Sequence, residues 1–218
     1  MIGKTLMIAG GEIDIDFVRE YIQKLEFNTV VCADSGLDAA YQLGLSVQYA
    51  MGDFDSVSDE VLKHYQAQST EFVKYPPEKD ATDSHIVLEW VVEKLPSEII
   101  ILGATGRRLD HFLANVNILM KPLSYGIPAY IVDSHNRLYL LDHSHIIRRK
   151  EMFGKYISFL PFTEEVSAVY LRGFKYELDG QTMTLGDSIG VSNELAEGQE
   201  AALIEFGDGI LIAVESKD

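Results

Sequence analysis

The chain has 218 residues, of which 47% are hydrophobic and 24% charged, a composition typical of a globular protein with one large domain or two smaller ones. Its formal net charge of −16 argues against a nucleic-acid binder, which needs a basic face. No apolar run is long enough for a membrane span, and the single cysteine allows no internal disulfide, so we expect a cytoplasmic protein with no membrane partner.

Strand and helix patterns alternate in the first part of the chain. Short apolar segments that end at Gly, Asp or Pro predict strands at 5–11, 29–34, 47–53, 71–76 and 98–106. Between and after them, apolar residues at helical spacing predict helices at 17–25, 36–44, 58–65, 85–95 and 111–120, the last ending before Pro122. This alternation is typical of a Rossmann-like, three-layer α/β domain with a mostly parallel sheet.

The pattern changes near residue 128. From there the chain consists of short segments rich in β-forming residues, divided by Gly, Asp, Asn or Pro, which predict an all-β domain resembling a sandwich. Asp208 and Gly209 predict a hairpin between the last two strands. We therefore expect an α/β domain at 1–127 and a β-sandwich domain at 128–218.

Carboxylates follow four of the predicted strands. Each could merely cap a helix or form a turn, because Asp bonds nearby backbone N–H groups. In a parallel sheet, however, the carboxyl ends of the strands lie at one edge, so these side chains can converge there. They are Asp34 after the second strand, Asp53 and Asp55 after the third, Asp80 and Asp83 after the fourth, and Asp110 after the fifth.

Converging carboxylates need a positive partner, because two unit charges about 4 Å apart repel by about 4 kcal/mol at an effective dielectric near 20. Mg²⁺ takes carboxylate oxygens and keeps positions open for substrate phosphates. On extended backbone, the spacing of Asp53 and Asp55 points both side chains to the same side. The acids therefore predict a divalent-cation site that lets an acidic chain hold a phosphorylated nucleotide.

The stretch "GATGRRLDH" (103–111) adds positive charge at the same edge. Its glycines allow close approach of the backbone, and Arg107 and Arg108 offer guanidinium groups that suit phosphate oxygens. A helix that begins near Asp110 and His111 presents free N–H groups to an anion. A solvated basic turn is the alternative interpretation.

Five motifs together resemble the thiamine pyrophosphokinase family, in order and across nearly the whole chain: "CADSG", "GDFDS", "KDATDS", "GATGRRLDH" and "LDGQTMTLGDSIGVSNEL". The resemblance implies an α/β domain for ATP and metal, a C-terminal β-sandwich for thiamine, and a homodimer with active sites at the subunit interface. It also implies transfer of the β,γ-pyrophosphate of ATP to the hydroxyl of thiamine, with Mg²⁺, giving thiamine diphosphate and AMP.

The resemblance implies roles for individual residues as well. It implies that the catalytic residues are Asp53, Asp55, Asp83, Arg108 and Asp110. The first three are also implied metal ligands, with Asp80 as a further ligand. The remaining residues that it implies for substrate and cofactor binding are Asp34, Ser35, Gly36, Thr82, Arg107, His111, Ser192 and Asn193.

Two departures from the family pattern leave questions open. Arg107 stands where the family usually has a second glycine, and the only tryptophan, Trp90, lies in a helix of the first domain, whereas animal members stack thiamine on a tryptophan of the β domain. The stacking aromatic is therefore open, as is the proton acceptor, for which Asp110 and His111 are candidates. Two other functions also stay open: another D-x-D metal-dependent transferase that uses a nucleotide, and a non-catalytic regulatory module that binds thiamine or a metal.

Overall fold

A computed structural model describes residues 2–74, 81–106 and 108–218, so Asp80 and Arg107 lie outside the described residues. The chain divides into two compact units, Met1–Ser134 and His135–Asp218. No helix in the described part of the chain is both long and apolar enough to cross a bilayer.

The first unit alternates strands and helices, as the sequence predicts. In chain order its elements are β1 (Thr5–Ile8), α1 (Ile15–Ile22), β2 (Thr29–Ala33), α2 (Gly36–Gln42), β3 (Tyr49–Gly52), α3 (Asp59–Gln66), β4 (Glu71–Lys74), α4 (Asp83–Glu93), β5 (Ile99–Leu102), α5 (Leu109–Ile118), α6 (Met120–Ser124) and β6 (Ala129–Val132).

These six strands form a parallel sheet in the order β4-β3-β2-β1-β5-β6. Strands β2, β3 and β4 follow one another on one side of β1, and β5 and β6 lie on its other side. Because parallel crossovers are right-handed, α1–α3 cover one face and α4–α6 the other; contacts of α2 with α3, and of α4 with α5 and α6, agree. The predicted three-layer α/β fold is confirmed, and its topological switch point lies between β1 and β5.

The second unit consists of antiparallel strands. They are β7 (Asn136–Leu141), β8 (His145–Arg148), β9 (Tyr156–Pro161), β10 (Glu165–Arg172), β11 (Leu178–Thr184), β12 (Ala201–Glu205) and β13 (Leu211–Ser216). Strand β13 lies between β7 and β9, while β11-β10-β12-β8 form a four-stranded sheet. Residues along β9 and β13 alternate between buried and half-buried, as expected of a sheet with one face in a core. The predicted all-β unit is confirmed.

Strand β6 belongs to the first unit, although the sequence analysis assigns its residues to the second domain. It pairs in parallel with β5, with Ile99 opposite Ala129, and the first unit extends to Ser134. The β-branched residues of β6 suit a parallel or an antiparallel strand equally well, so composition alone does not assign the strand to either unit.

The helix predicted to end before Pro122 does so, since α5 ends at Ile118. Pro122 is the third residue of the separate helix α6, in the first turn, where its missing N–H group has no intrahelical partner to lose. One local prediction is wrong. The turn at Asp208 and Gly209 does not make a hairpin, since β12 pairs with β8 and β10 whereas β13 pairs with β7 and β9. Turn residues allow the chain to reverse, but side-chain packing decides which strands pair.

Candidate active site

A pocket of about 600 Å³ opens at the topological switch point. It is bounded by the loops after β1, β2 and β5, the first turn of α4, and α5. Its volume suits a small-molecule ligand, and its position is where open α/β sheets bind one. Residues that the sequence analysis selects and that line it are Asp34, Ser35, Thr82, Asp83, Arg108 and His111.

An acidic cluster, defined here as Asp34, Asp53 and Asp55, lies beside this pocket. One carboxylate oxygen from each residue lies within 4.8 Å of the others. Asp34 follows β2 and the other two follow β3, so neighbouring strands bring them together. The negative charge of Asp53 is the main cause that raises the pKa of Asp55, and desolvation and the charges of Asp34 and Asp83 add to it.

The backbone between Asp53 and Asp55 is not extended, which corrects the geometry assumed in the sequence analysis. Phe54 has a φ of 63°, in the left-handed region that a bulky residue rarely adopts. Its ring is buried, 6% exposed, and packs edge-to-face on Phe72 with centroids 5.4 Å apart. Burial of this ring therefore stabilises a turn that holds the two carboxylates, in place of the regular alternation of a strand.

Asp34 has an oxygen that fits a cation. Its Oδ2 accepts a hydrogen bond of 2.6 Å from Ser56 Oγ, whereas its Oδ1 is buried and has no hydrogen-bond partner within the described ranges. A buried carboxylate oxygen without a partner is costly unless something positive satisfies it. Three grouped carboxylates with such an oxygen match the all-oxygen ligand set of a hard divalent cation.

Arg108 and Asp110 form a two-bond ion pair at the start of α5. The Nε of Arg108 donates to Oδ1 of Asp110 at 3.1 Å, and its Nη2 donates to Oδ2 at 2.5 Å. The hydrogen bond from Arg108 is the main reason that the pKa of Asp110 falls to about 2. A carboxylate with so low a pKa is a poor proton acceptor, which argues against Asp110 as the general base.

Glycines permit the close approach of the loops after β1 and β5. Gly11 N donates to Gly103 O at 3.0 Å, and a Cβ on Gly11 would lie only 2.3 Å from that oxygen. Asn115, which is buried, holds the second loop by donating to Ala104 O at 2.8 Å. Gly11 and Asn115 are not among the residues selected from sequence, where the available signal was the two glycines that end the first predicted strand.

Three further selected residues shape the elements around the pocket. Ser35 Oγ donates to Gly10 O at 3.2 Å, which links the loops after β2 and β1. Gly36 begins α2, and a Cβ there would lie 2.2 Å from Ile8 O, so its role in the fold is to let the helix approach β1. Thr82 caps α4 by accepting a hydrogen bond from His85 N at 3.3 Å, and Asp83 is the first residue of that helix.

Asn193, in the second unit, uses its side chain to hold Tyr176. Its Nδ2 donates to Tyr176 O at 2.7 Å, and its Oδ1 accepts from Tyr176 N at 3.0 Å. Asn193 is buried, whereas Tyr176 is 58% exposed. Ser192 is exposed with a φ of 56°, and its N–H donates to Ser158 Oγ at 3.0 Å. The structure therefore shows Asn193 supporting an exposed aromatic residue that the sequence analysis does not select.

Comparison with known proteins identifies the family. Residues 20–131 match the family profile described as thiamin pyrophosphokinase, catalytic domain, and residues 144–211 match the profile for its vitamin B1 binding domain. Thiamine pyrophosphokinase of Bacillus subtilis is 35% identical over 185 residues, which cover 85% of this chain and 86% of that protein. The chain belongs to the thiamine pyrophosphokinase family.

Solved structures of thiamine pyrophosphokinases have the same fold along the whole chain. That from Bacillus subtilis superposes with a TM-score of 0.87 at 32% identity and covers 99% of both chains. That from Geobacillus thermodenitrificans has a TM-score of 0.85 at 32% identity and covers 99% of this chain and 98% of its own. The family predicted from the five motifs is confirmed, and with it the activity, pyrophosphoryl transfer from ATP.

Proposed function

We propose that this thiamine pyrophosphokinase binds ATP in the switch-point pocket, with Mg²⁺ at the acidic cluster, and produces thiamine diphosphate and AMP. The observation that carries the proposal is the buried Oδ1 of Asp34, which has no hydrogen-bond partner among the residues that the structure describes and lies beside two further carboxylates and a nucleotide-sized pocket. A pocket that ended in uncompensated carboxylates would repel phosphates. A cation bound between the carboxylates and the phosphates attracts both and removes this repulsion.

The cation would be held by Asp34, Asp53 and Asp55, with Asp83 near enough to influence the charge of Asp55. When bound, Mg²⁺ supplies neutralisation of negative charge on the phosphate oxygens. The family resemblance implies that Asp34 binds the nucleotide and Asp83 the metal. The carboxylate distances instead group Asp34 with Asp53 and Asp55, so we propose Asp34 as the third metal ligand. Asp80, outside the described residues, stays a predicted ligand, as Arg107 stays a predicted phosphate contact.

The protein's part in the reaction is mainly positioning and electrostatic. The glycine loops after β1 and β5 admit phosphates close to the backbone, and the guanidinium of Arg108 adds a fixed positive charge. The hydroxyl oxygen of thiamine forms a bond with the β-phosphorus while the bond from that phosphorus to the α,β-bridging oxygen breaks. AMP leaves with the bridging oxygen and its electron pair, and the hydroxyl proton passes to a base, for which His111 remains a candidate.

A product assay tests the proposed function. We expect purified protein with ATP, Mg²⁺ and thiamine to form AMP and thiamine diphosphate in equal amounts, and to form neither when EDTA is added. Chromatography of nucleotides and thiamine esters distinguishes the outcomes. Formation of ADP, or use of a nucleotide sugar without thiamine, would support a different transferase, and thiamine binding without consumption of ATP would support a regulatory module.

Tyr176 is proposed as the aromatic side chain on which thiamine stacks. Trp90 is unsuited to the role, because it lies in α4 of the first unit, where its ring packs 4.6 Å from that of Tyr49. Tyr176 lies within the segment that matches the vitamin B1 binding profile and is well exposed, and its backbone is anchored by Asn193 of the "LDGQTMTLGDSIGVSNEL" motif. Asn193 fixes the backbone of Tyr176, so the exposed ring stands at a defined place on the surface, with Lys175 Nζ 5.5 Å from its centroid, where a flat ligand can approach it.

We expect Tyr176→Ala to raise the KM for thiamine about tenfold, equivalent to about 1.4 kcal/mol of lost stacking and apolar contact. Tyr176→Phe, which keeps the ring, should stay close to the parent, and the KM for ATP should not change in either variant. Tyr125→Ala is the matched control, since Tyr125 is 53% exposed in the first unit. An unchanged KM for thiamine in Tyr176→Ala would assign the stacking to another residue.

We also propose that the protein is cytoplasmic and forms a homodimer with active sites at the subunit interface. The dimer is supported by Leu109 and Leu113, which are 74% and 60% exposed and lie one turn apart on α5, the helix that carries Arg108 and His111 to the pocket. The lone cysteine, Cys32, is buried in β2 and fits a reducing compartment. ATP binding by the first unit and thiamine binding by the second are likewise proposed.

A further inference from the structure

We infer that Ser56 is a positioning residue that fixes the carboxylate of Asp34 so that its Oδ1 is presented to the cation. The inference deepens the proposed function and rests on it. Ser56 is itself exposed and stands at the end of the "GDFDS" motif, in the same turn as Asp53 and Asp55. Nothing in the sequence distinguishes its hydroxyl from an ordinary turn residue.

A serine hydroxyl has a single O–H donor, and here it donates to Asp34 Oδ2 at 2.6 Å. That bond gives one carboxylate oxygen a partner and leaves the other, buried Oδ1, for something else. The two oxygens of Asp34 are thereby made inequivalent before any ligand binds.

The bond also joins two separate loops. Asp34 follows β2, whereas Ser56 belongs to the turn after β3 that carries the other two acids. Asp34 has a φ of 46°, and its N–H donates to Met51 O at 2.9 Å, so its backbone is already held against β3. The Ser56 hydroxyl extends this link to the side chain and opposes the mutual repulsion that would otherwise rotate the carboxylate away.

A group that orients a metal ligand affects affinity more than fold, typically by about 10–100-fold. We expect Ser56→Ala to raise the dissociation constant for Mn²⁺, measured by electron paramagnetic resonance on the nucleotide-free full chain, by about tenfold or more. Ser56→Thr, which keeps the hydroxyl, should bind nearly as the parent does. The turnover that Ser56→Ala loses at low Mg²⁺ should return at high Mg²⁺.

The controls separate the possible failures. Ser124→Ala removes a hydroxyl of the same unit that donates to Lys121 O, and it should leave Mn²⁺ affinity unchanged. Thermal melting without cation should be alike for all of these variants, because each altered side chain is exposed. If Ser56→Ala binds Mn²⁺ as tightly as the parent while Asp53→Asn does not, the inference fails and the proposed site stands. If the parent binds no Mn²⁺, both fail.

Discussion

An Asp53→Asn variant is expected to lose turnover by at least about a hundredfold while keeping its fold. Residues that merely orient a metal ligand cost about 10–100-fold when removed, so loss of a ligand should cost at least as much. The substitution preserves shape and one acceptor oxygen but removes the charge that a hard cation needs. AMP formation at saturating ATP and Mg²⁺ measures the loss, and circular dichroism checks the fold.

Asp38→Asn is the matched control for this variant. It removes the same charge from the first turn of α2, where Asp38 Oδ1 accepts a hydrogen bond from Ser58 at 3.2 Å, outside the acidic cluster. It should retain turnover close to that of the parent. Equal activity in Asp53→Asn and the parent would remove Asp53 from the cation site. Equal losses in the two variants would attribute the effect to net charge.

Arg108→Ala should have the second large effect, a loss of roughly a hundredfold or more in kcat/KM for ATP. Removal of one group that stabilises developing negative charge in an active site typically costs about 10²–10³-fold. Arg108→Lys should recover only part of this, because an ammonium group lacks the planar fork of a guanidinium. Arg148→Ala, an exposed arginine at the end of β8, is the control and should be unaffected.

The role of Asp110 can be separated from that of Arg108 by pH. Because Arg108 lowers the pKa of Asp110 to about 2, the ion pair stabilises the folded protein above the usual aspartate pKa and loses this effect only as pH falls toward 2. Asp110 therefore stays ionised throughout the neutral range. Asp110→Asn should reduce kcat/KM less than Arg108→Ala and leave the pH–rate profile between about 5 and 9 unchanged in shape. Loss of a limb of that profile would instead identify Asp110 as the proton acceptor.

Much of the fold followed from local pattern. Strands β1, β2 and β5 are continuous apolar runs because helices cover both faces of a parallel sheet. Regular alternation with helices then predicts the parallel sheet itself. The boundary between the units and the pairing of β12 and β13 did not follow in this way, because β-forming residues suit many partners.

Only part of the candidate site could be predicted from the sequence. Acids at strand ends predict convergence, and the structure does bring Asp34, Asp53 and Asp55 together. The left-handed backbone at Phe54 could not be predicted, because it depends on the packing of the Phe54 ring against Phe72 of β4. Likewise, Asn193 acts through the backbone of Tyr176, 17 residues away, and no pattern in the sequence records that contact.

The sequence by itself determined the class of fold, the family and the set of acids at the strand ends, because each depends on residues that are neighbours along the chain. Only the tertiary structure decided which oxygen of Asp34 has no hydrogen-bond partner among the described residues, and which hydroxyl holds the other oxygen. Those features depend on side chains from separate loops meeting within hydrogen-bond distance, and a distance of that kind is set by packing.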